Sequence, residues 1–155
     1  MRFLDDCFSS RATPVEFETQ LLKQMVVISE AKLHGQHVGL VKILTRLYRA
    51  VSRIQVEGVT DRDPLLIEKI LKGLCVYTET HFKDEEKYLK QIKFKGYKKH
   101  RKLHKAFVST IRVYWKDVKS GETADPSFYV DVLFYTTYWL LHHINRQDVK
   151  YINNL

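Results

Sequence analysis

HFKDEEKYLKQIKFKGYKKHRKLH, running from His81 to His104, contains two pairs of metal-competent side chains at one spacing: His81 with Glu85, and His100 with His104. On a helix of about 3.6 residues per turn, side chains four apart lie on one face, one turn above the other. Each pair therefore forms a ridge of ligand-type side chains. Between the ridges lies FKGY, whose Gly96 can take the positive φ that ends a helix. The spacing predicts two antiparallel helices joined by a tight connection, and antiparallel neighbours can share a site.

Outward from this stretch, the three prolines punctuate the chain in the same way. Thr13-Pro14, Asp63-Pro64 and Asp125-Pro126 each set a capping residue before a proline suited to the first helical position. Thr13 with Glu16 also fits a capping box, and Phe17, Leu21 and Met25 continue an apolar face. A short N-terminal helix is expected there, running into MVVIS, where β-branched residues weaken the helical case. From Ala31 to Val56, Leu33, His37, Leu40, Val41, Leu44, Leu47, Tyr48 and Val51 keep a 3.6 period. A second long helix opens at Pro64 and carries Ile67, Ile70, Leu71, Leu74, Thr78, His81, Glu85, Tyr88 and Leu89 inward. The third runs from Tyr97 to Val118 through His100, Leu103, His104, Phe107, Ile111 and Tyr114. The fourth runs from Pro126 through Tyr129, Val132, Leu133, Thr136, Trp139, Leu140 and His143. Four long helices with short loops and no convincing strand predict an all-α, up-down-up-down four-helix bundle over residues 31–155, preceded by an N-terminal arm over 1–30.

With 155 residues, the chain is long enough to bury about 70% of its unfolded surface without a structural staple. No apolar run is long enough to span a membrane, and Asp5 and Asp6 stand where a signal peptide would have its apolar core. Cys7 and Cys75 make no disulfide framework. Together these features predict a cytoplasmic protein. The formal charge of +8 is local: Lys87, Lys90, Lys93, Lys95, Lys98, Lys99, Arg101, Lys102 and Lys105 fall between residues 87 and 105 with no acid among them. Such a patch could dock an anionic partner or simply solvate helix ends. With the rest of the chain near neutral, nucleic acid is not the expected partner.

Each long helix offers inward ligand candidates: His37 from the first, His81 and Glu85 from the second, His100 and His104 from the third, His143 with Asp148 from the fourth. Five imidazoles and two carboxylates favour a transition metal over magnesium or calcium. Seven protein ligands exceed what one ion holds. Two six-coordinate ions bridged by both carboxylates and a solvent atom would take three imidazoles on one ion and two on the other, leaving the second one position short. Two points stay open from spacing alone. His142 and His143 are about 100° apart, so only one faces inward, and periodicity barely separates them. Asp148 stands about 140° from the face of His143 and reaches it only if the helix ends or distorts. Other metal chemistries lack their motifs. Thr78, Tyr97, Arg101 and Leu140 precede His81, His100, His104 and His143 by three, so no Glu-x-x-His is present. Phe82 and Arg101 follow the first histidines of the two pairs, so no HExxH is present either.

GQH at 35–37, HFKDEEKYL at 81–89, FKGYKKHRKLH at 94–104 and WLLHHINRQDVKY at 139–151 resemble the hemerythrin family, specifically its bacteriohemerythrin-like members. The resemblance spans roughly residues 31–151. It aligns His143, five before Asp148, with the family's ligand. It implies two non-heme irons with an oxo or hydroxo bridge: His100, His104 and His143 on the saturated ion, His37 and His81 on the open one, Glu85 and Asp148 bridging. It further implies reversible dioxygen binding at the open ion, and it matches Trp139, Leu140 and Ile144 to positions lining an apolar oxygen pocket. An oxygen carrier, store or sensor is the function it implies. The same ligands also serve a di-iron oxidase or peroxidase acting on peroxide in oxidative-stress defence, or a redox-sensing module signalling through the basic surface, and fold does not choose among them.

Overall fold

The Thr13 hydroxyl accepts a hydrogen bond from the Glu16 amide, and the Glu16 carboxylate accepts one from the Thr13 amide at 2.7 Å. This reciprocal box opens α2, Pro14–Gln24, with its proline in the first turn. The computed structural model describes residues 2–121 and 125–152, and these contain helices and no strand. A helix absent from the sequence reading, α1 (Arg2–Ser9), precedes α2. At Met25 the backbone becomes extended, so MVVIS ends α2 rather than continuing it. The long helices follow: α3 Ala31–Glu57, α4 Asp63–Gln91, α5 Tyr97–Ser120 and α6 Pro126–His143. Five residues, Ile144–Asp148, then form a π-helical turn, and α7 (Val149–Ile152) closes the described chain. No helix among the described residues is long and apolar enough to cross a membrane.

Cross-helix pairs run in opposite directions along the two partners, which makes each neighbour antiparallel. Gln36 meets Asp84 and Arg53 meets Asp63 between α3 and α4. Glu86 meets Arg101 and Glu68 meets Trp115 between α4 and α5. His104 meets His143 and Tyr114 meets Phe128 between α5 and α6. The result is the expected up-down-up-down bundle. The N-terminal helices lie on it. Phe17 stacks on Tyr48 at 4.2 Å, Phe8 stacks on Phe134, and the Tyr48 hydroxyl donates to the Ala12 carbonyl at 2.7 Å. Leu4, Cys7, Phe17, Leu21 and Met25 are buried in the same core as α3 and α6, which adds apolar burial to the bundle.

Two local expectations are corrected. Gly96 has φ −79° and does not supply the left-handed residue; Lys93 does, at φ 52°. The reason is the way α4 ends: the Lys93 amide bonds the Lys90 carbonyl and the Phe94 amide bonds the Leu89 carbonyl. That double closure demands αL at Lys93. Gly96 is needed for room, since a Cβ there would lie 2.6 Å from the Phe94 ring. Asp63, expected to cap α4, makes no cap hydrogen bond. Its carboxylate instead accepts from the Thr60 amide and hydroxyl, at 2.7 and 2.8 Å, and pairs with Arg53. The other two caps follow the reading, Asp125 accepting from the Ser127 amide at 2.9 Å.

Candidate metal centre

The inward stripes of α3, α4, α5 and α6 meet at a cluster of buried histidines and carboxylates. There, the seven side chains singled out by spacing and resemblance come together. His37, His81, Glu85, His100, His104, His143 and Asp148 are all buried. His142 points the other way; it is exposed and lies against Tyr138. Asp148 reaches the cluster because the turn from Ile144 to Asp148 is π-helical. A wider i→i+5 turn accommodates one more residue than an α turn and brings a side chain five positions on back toward the face of His143.

The atoms fall into two groups that share Glu85: Glu85 with His100, His104 and His143, and Glu85 with His37 and His81, the ligand atoms within 4.8 Å of one another in each. Glu85 Oε2 lies 3.2 Å from His100 Nε2 and 3.0 Å from His104 Nε2. Asp148 spans both groups. Its Oδ2 is 3.3 Å from His37 Nε2, and its Oδ1 is 3.3 and 3.1 Å from His100 and His143 Nε2.

Protons alone do not satisfy this arrangement. His143 Nε2 lies 3.0 Å from His104 Nε2 and 3.1 Å from His100 Nε2, and a nitrogen–nitrogen contact needs one N–H and one lone pair. His104 Nδ1 lies 3.1 Å from Glu86 Oε1, and His81 Nδ1 lies 3.0 Å from Gln36 Oε1. Each of these Nδ1 atoms must therefore carry the proton. In the neutral rings, Nε2 is then a lone pair aimed at other lone pairs and at carboxylate oxygens. His37 Nε2 and both Asp148 oxygens, all buried, form no hydrogen bond. A cation between them resolves every conflict. Ligands at right angles around an ion about 2.1 Å away are about 3.0 Å apart, close to the spacings observed. The residues thus fit a pair of metal ions.

Burial pushes His81 down to about 4 and holds His143 below its ordinary value, which keeps these rings as neutral donors. Burial opposes ionisation of Glu85, but its contacts with His100 and His104 outweigh burial and hold the carboxyl well below the usual range. Burial and the charge of Glu85 likewise oppose Asp148, and His143 and His37 overcome them. Both carboxylates are therefore charged.

Partners outside the cluster fix its orientation. Gln36 passes the His81 contact on to Asp84 at 2.7 Å, and Lys32 pairs with Asp84 at 2.9 Å. Arg101 pairs with Glu86 behind His104. The Tyr151 hydroxyl donates to Glu85 Oε1 at 2.8 Å. Phe82 stacks on His104 at 3.8 Å and Trp139 on His143 at 4.5 Å. Such outer contacts set the tautomer and basicity of metal-binding imidazoles. Of the three residues matched to an oxygen pocket, Leu140 and Ile144 line a small cavity of about 10 Å³ beside His37, together with Leu21, Met25, Leu40, Val41, Leu44 and Leu141. Trp139 is not on that wall. It covers the three-histidine group instead.

The contacts of Gln36, Glu86 and Tyr151, and the place of Leu21 and Met25 beside His37, were missed by sequence reasoning. Tyr151 carried a signal, three positions past Asp148 on one helical face. The contact of Gln36 with Asp84 did not, because nothing local joins residues 48 apart.

Comparison with known proteins agrees with the geometry. Residues 30–154 match the family model described as the hemerythrin HHE cation-binding domain. The chain is 35% identical over 101 residues to a myohemerythrin of Sipunculus nudus, covering 64% of this chain and 75% of that one. It is 32% identical over 104 residues to a hemerythrin of the same organism, covering 67% and 76%. To a bacteriohemerythrin of Clostridium acetobutylicum it is 25% identical over 122 residues, covering 79% and 90%. With four antiparallel helices, a doubled histidine–carboxylate cluster and a family model matched over most of its length, the chain belongs to the hemerythrin family.

Proposed function

We propose that this protein holds two non-heme iron ions with an oxo or hydroxo bridge and binds dioxygen reversibly, as a carrier, store or sensor. His100, His104 and His143 hold one ion, His37 and His81 the other, and Glu85 and Asp148 bridge them. The domain over residues 31–155 carries the centre. When bound, the iron pair supplies two electrons that dioxygen can share and return. One observation carries the reading: the cluster is lopsided, three imidazoles against two, and the apolar cavity opens beside His37 on the two-imidazole side. The cavity is close to the smallest space that takes a water-sized molecule, and the only polar side chain on its wall is His37. Apolar walls keep out water and protons that would drive irreversible oxidation. The Tyr151 hydroxyl holds the outer oxygen of Glu85, leaving the other oxygen turned inward.

Metal analysis of the purified chain should return two irons, with oxo-to-iron charge-transfer bands in the near-ultraviolet when oxidised; one zinc per chain would sink the proposal. Anaerobic reduction followed by admission of oxygen then separates the uses. A lasting oxygenated spectrum identifies a carrier or sensor, and rapid decay with peroxide release or consumption identifies an oxidase or peroxidase.

A second reading, redox or oxygen sensing with output to an anionic partner, is favoured by Arg101. All nine cations between Lys87 and Lys105 are exposed, and Arg101 pairs with Glu86, which in turn contacts His104. The basic surface is thus two contacts from the cluster. Charge reversal at Lys98, Lys99 and Lys102 should abolish salt-sensitive binding to anionic vesicles or an acidic protein and leave the iron spectrum unchanged. Absence of such binding in the unaltered chain removes this reading.

A further inference from the structure

The cavity beside His37 is not closed by the four-helix bundle. α3 contributes His37, Leu40, Val41 and Leu44, and α6 with its π-helical turn contributes Leu140, Leu141 and Ile144; the remaining wall is Leu21 and Met25 at the end of α2. Both of these residues are buried, and they lie four positions apart, so they present one continuous apolar ridge to the groove between α3 and α6. Beside the Phe17–Tyr48 stack, the end of α2 is fastened there by the Asn145 side-chain amide. Asn145 accepts from the Val26 amide at 2.8 Å through Oδ1 and donates to the Gln24 carbonyl at 2.7 Å through Nδ2. These bonds fall where α2 ends: a helix end leaves carbonyls without partners, and the Asn145 side chain satisfies one of them along with an amide just beyond. Asn145 belongs to the same π-helical turn that delivers Asp148 to the cluster.

Resting on the reading that the His37 side is where a small ligand binds, we infer that Leu21 and Met25 are specificity-determining residues which select that ligand by bulk, admitting one built of small second-row atoms and hindering a longer one that carries sulfur. Asn145 is the positioning residue that holds them over the cavity. The N-terminal helices then act as the outer wall of the ligand site. A ligand entering over this wall must displace the α2 ridge, and the space behind it, about 10 Å³, rejects bulk. Leu21 and Met25 act by volume, so their loss should change which ligand enters while leaving metal binding intact, because neither side chain belongs to the histidine–carboxylate groups.

The test uses the full-length chain, oxidised and iron-loaded, with azide and the bulkier thiocyanate as probes followed by stopped-flow absorbance. Met25→Ala and Leu21→Ala should each accelerate thiocyanate binding at least tenfold and lower the azide-to-thiocyanate rate ratio, at two irons per chain. Met25→Leu, close to isosteric, should keep the original ratio. Where an alanine variant does not fold, Leu21→Val and Met25→Val carry the same comparison. Rates and ratio within twofold of the unaltered chain, at full iron content, overturn the inference. Hydrogen exchange supplies a reading independent of metal: Asn145→Ala should raise exchange of the α2 amides at least tenfold and leave those of α4 unchanged. Unchanged α2 exchange, with or without iron, overturns it as well. Iron content measured on each preparation separates failure of the di-iron proposal, which shows as missing metal, from failure of this one.

Discussion

At His143 the imidazole is buried between the Trp139 ring and the ring nitrogens of His100 and His104, whereas His142, one position earlier, is exposed and lies beside Tyr138. His143→Ala should therefore reduce iron retention. His142→Ala should keep two irons and change stability by about 1 kcal/mol or less. Asp148→Ala should be nearly as damaging as the His143 change, because Asp148 touches both imidazole groups and its charge offsets the repulsion between two cations. Metal analysis of the three variants checks the ranking; an essential His142 with a dispensable Asp148 would refute it. Asp63 gives a second expectation. Burial works against its carboxylate, but Arg53 and Thr60 hold its pKa below the ordinary value. Its contribution is therefore fully present above the unfolded pKa of about 3.9 and is lost as pH falls through the lower folded value. Arg53→Ala should cost about 2 kcal/mol near neutral pH and progressively less as acid protonates Asp63, measured by urea denaturation at several pH values. The ligand candidates were legible in the sequence because i,i+4 spacing is a local signal, and the family pattern separated His143 from its neighbour. Asp63 was misread for the opposite reason. Its partner Arg53 lies on the preceding helix, and a capping residue before proline looks the same whether or not a cation competes for its carboxylate.

At the scale of elements, periodicity exposed the four long helices, since each presents an apolar stripe over many turns. α1, with eight residues, was too short for such a signal, and its fixing contacts, Phe3 on Phe17 and the Cys7 carbonyl under the Tyr48 hydroxyl, are tertiary. The turn after α4 was placed correctly but its chemistry was assigned to the wrong residue, since glycine announces either a left-handed backbone or a close approach and spacing does not say which. The π-helical turn was foreseen only as a condition for Asp148 to reach the site. It leads to a prediction about register. Deleting Gln147, which lies inside the turn, should let it relax into a regular α-helix with Asp148 four positions after His143 and still on its face. Circular dichroism should then show helix content retained and metal analysis should show iron content retained, whereas inserting a further residue there should turn Asp148 away and lower it. Full iron content in the insertion variant would show that Asp148 is not required.

For the molecule as a whole, the cluster is a liability without its ions: two buried carboxylates and five imidazoles lie in contact in a low-dielectric core. His81 in the metal-free fold has a pKa of about 4 against an ordinary 6.5, so the unfolded chain takes up a proton that the folded chain refuses. The sign follows from linkage. The contribution of His81 is full above about pH 6.5 and declines as pH falls toward 4, while His104, whose pKa burial lowers but contact with Glu85 and Glu86 raises on balance, works in the opposite sense. Iron removal should lower Tm and make it depend on pH between about 6.5 and about 4, measured by calorimetry on apo and iron-loaded samples; equal, pH-independent Tm values would contradict this. The Asn145 clamp has a different consequence, one concerning the order of assembly. Its two bonds join residues 119 and 121 positions apart, so in a chain made from its amino end α2 can pack on Tyr48 of α3 early, but its own end is fastened almost last. Long-range closures of this kind follow local helix pairing. On the proposed di-iron reading, an α2 end not yet fastened over His37 would give iron a route to the cluster. Pulse-labelled hydrogen exchange during refolding should show amides at the end of α2 gaining protection after those of α4 and α5, and iron added after that step should load more slowly than iron present from the start.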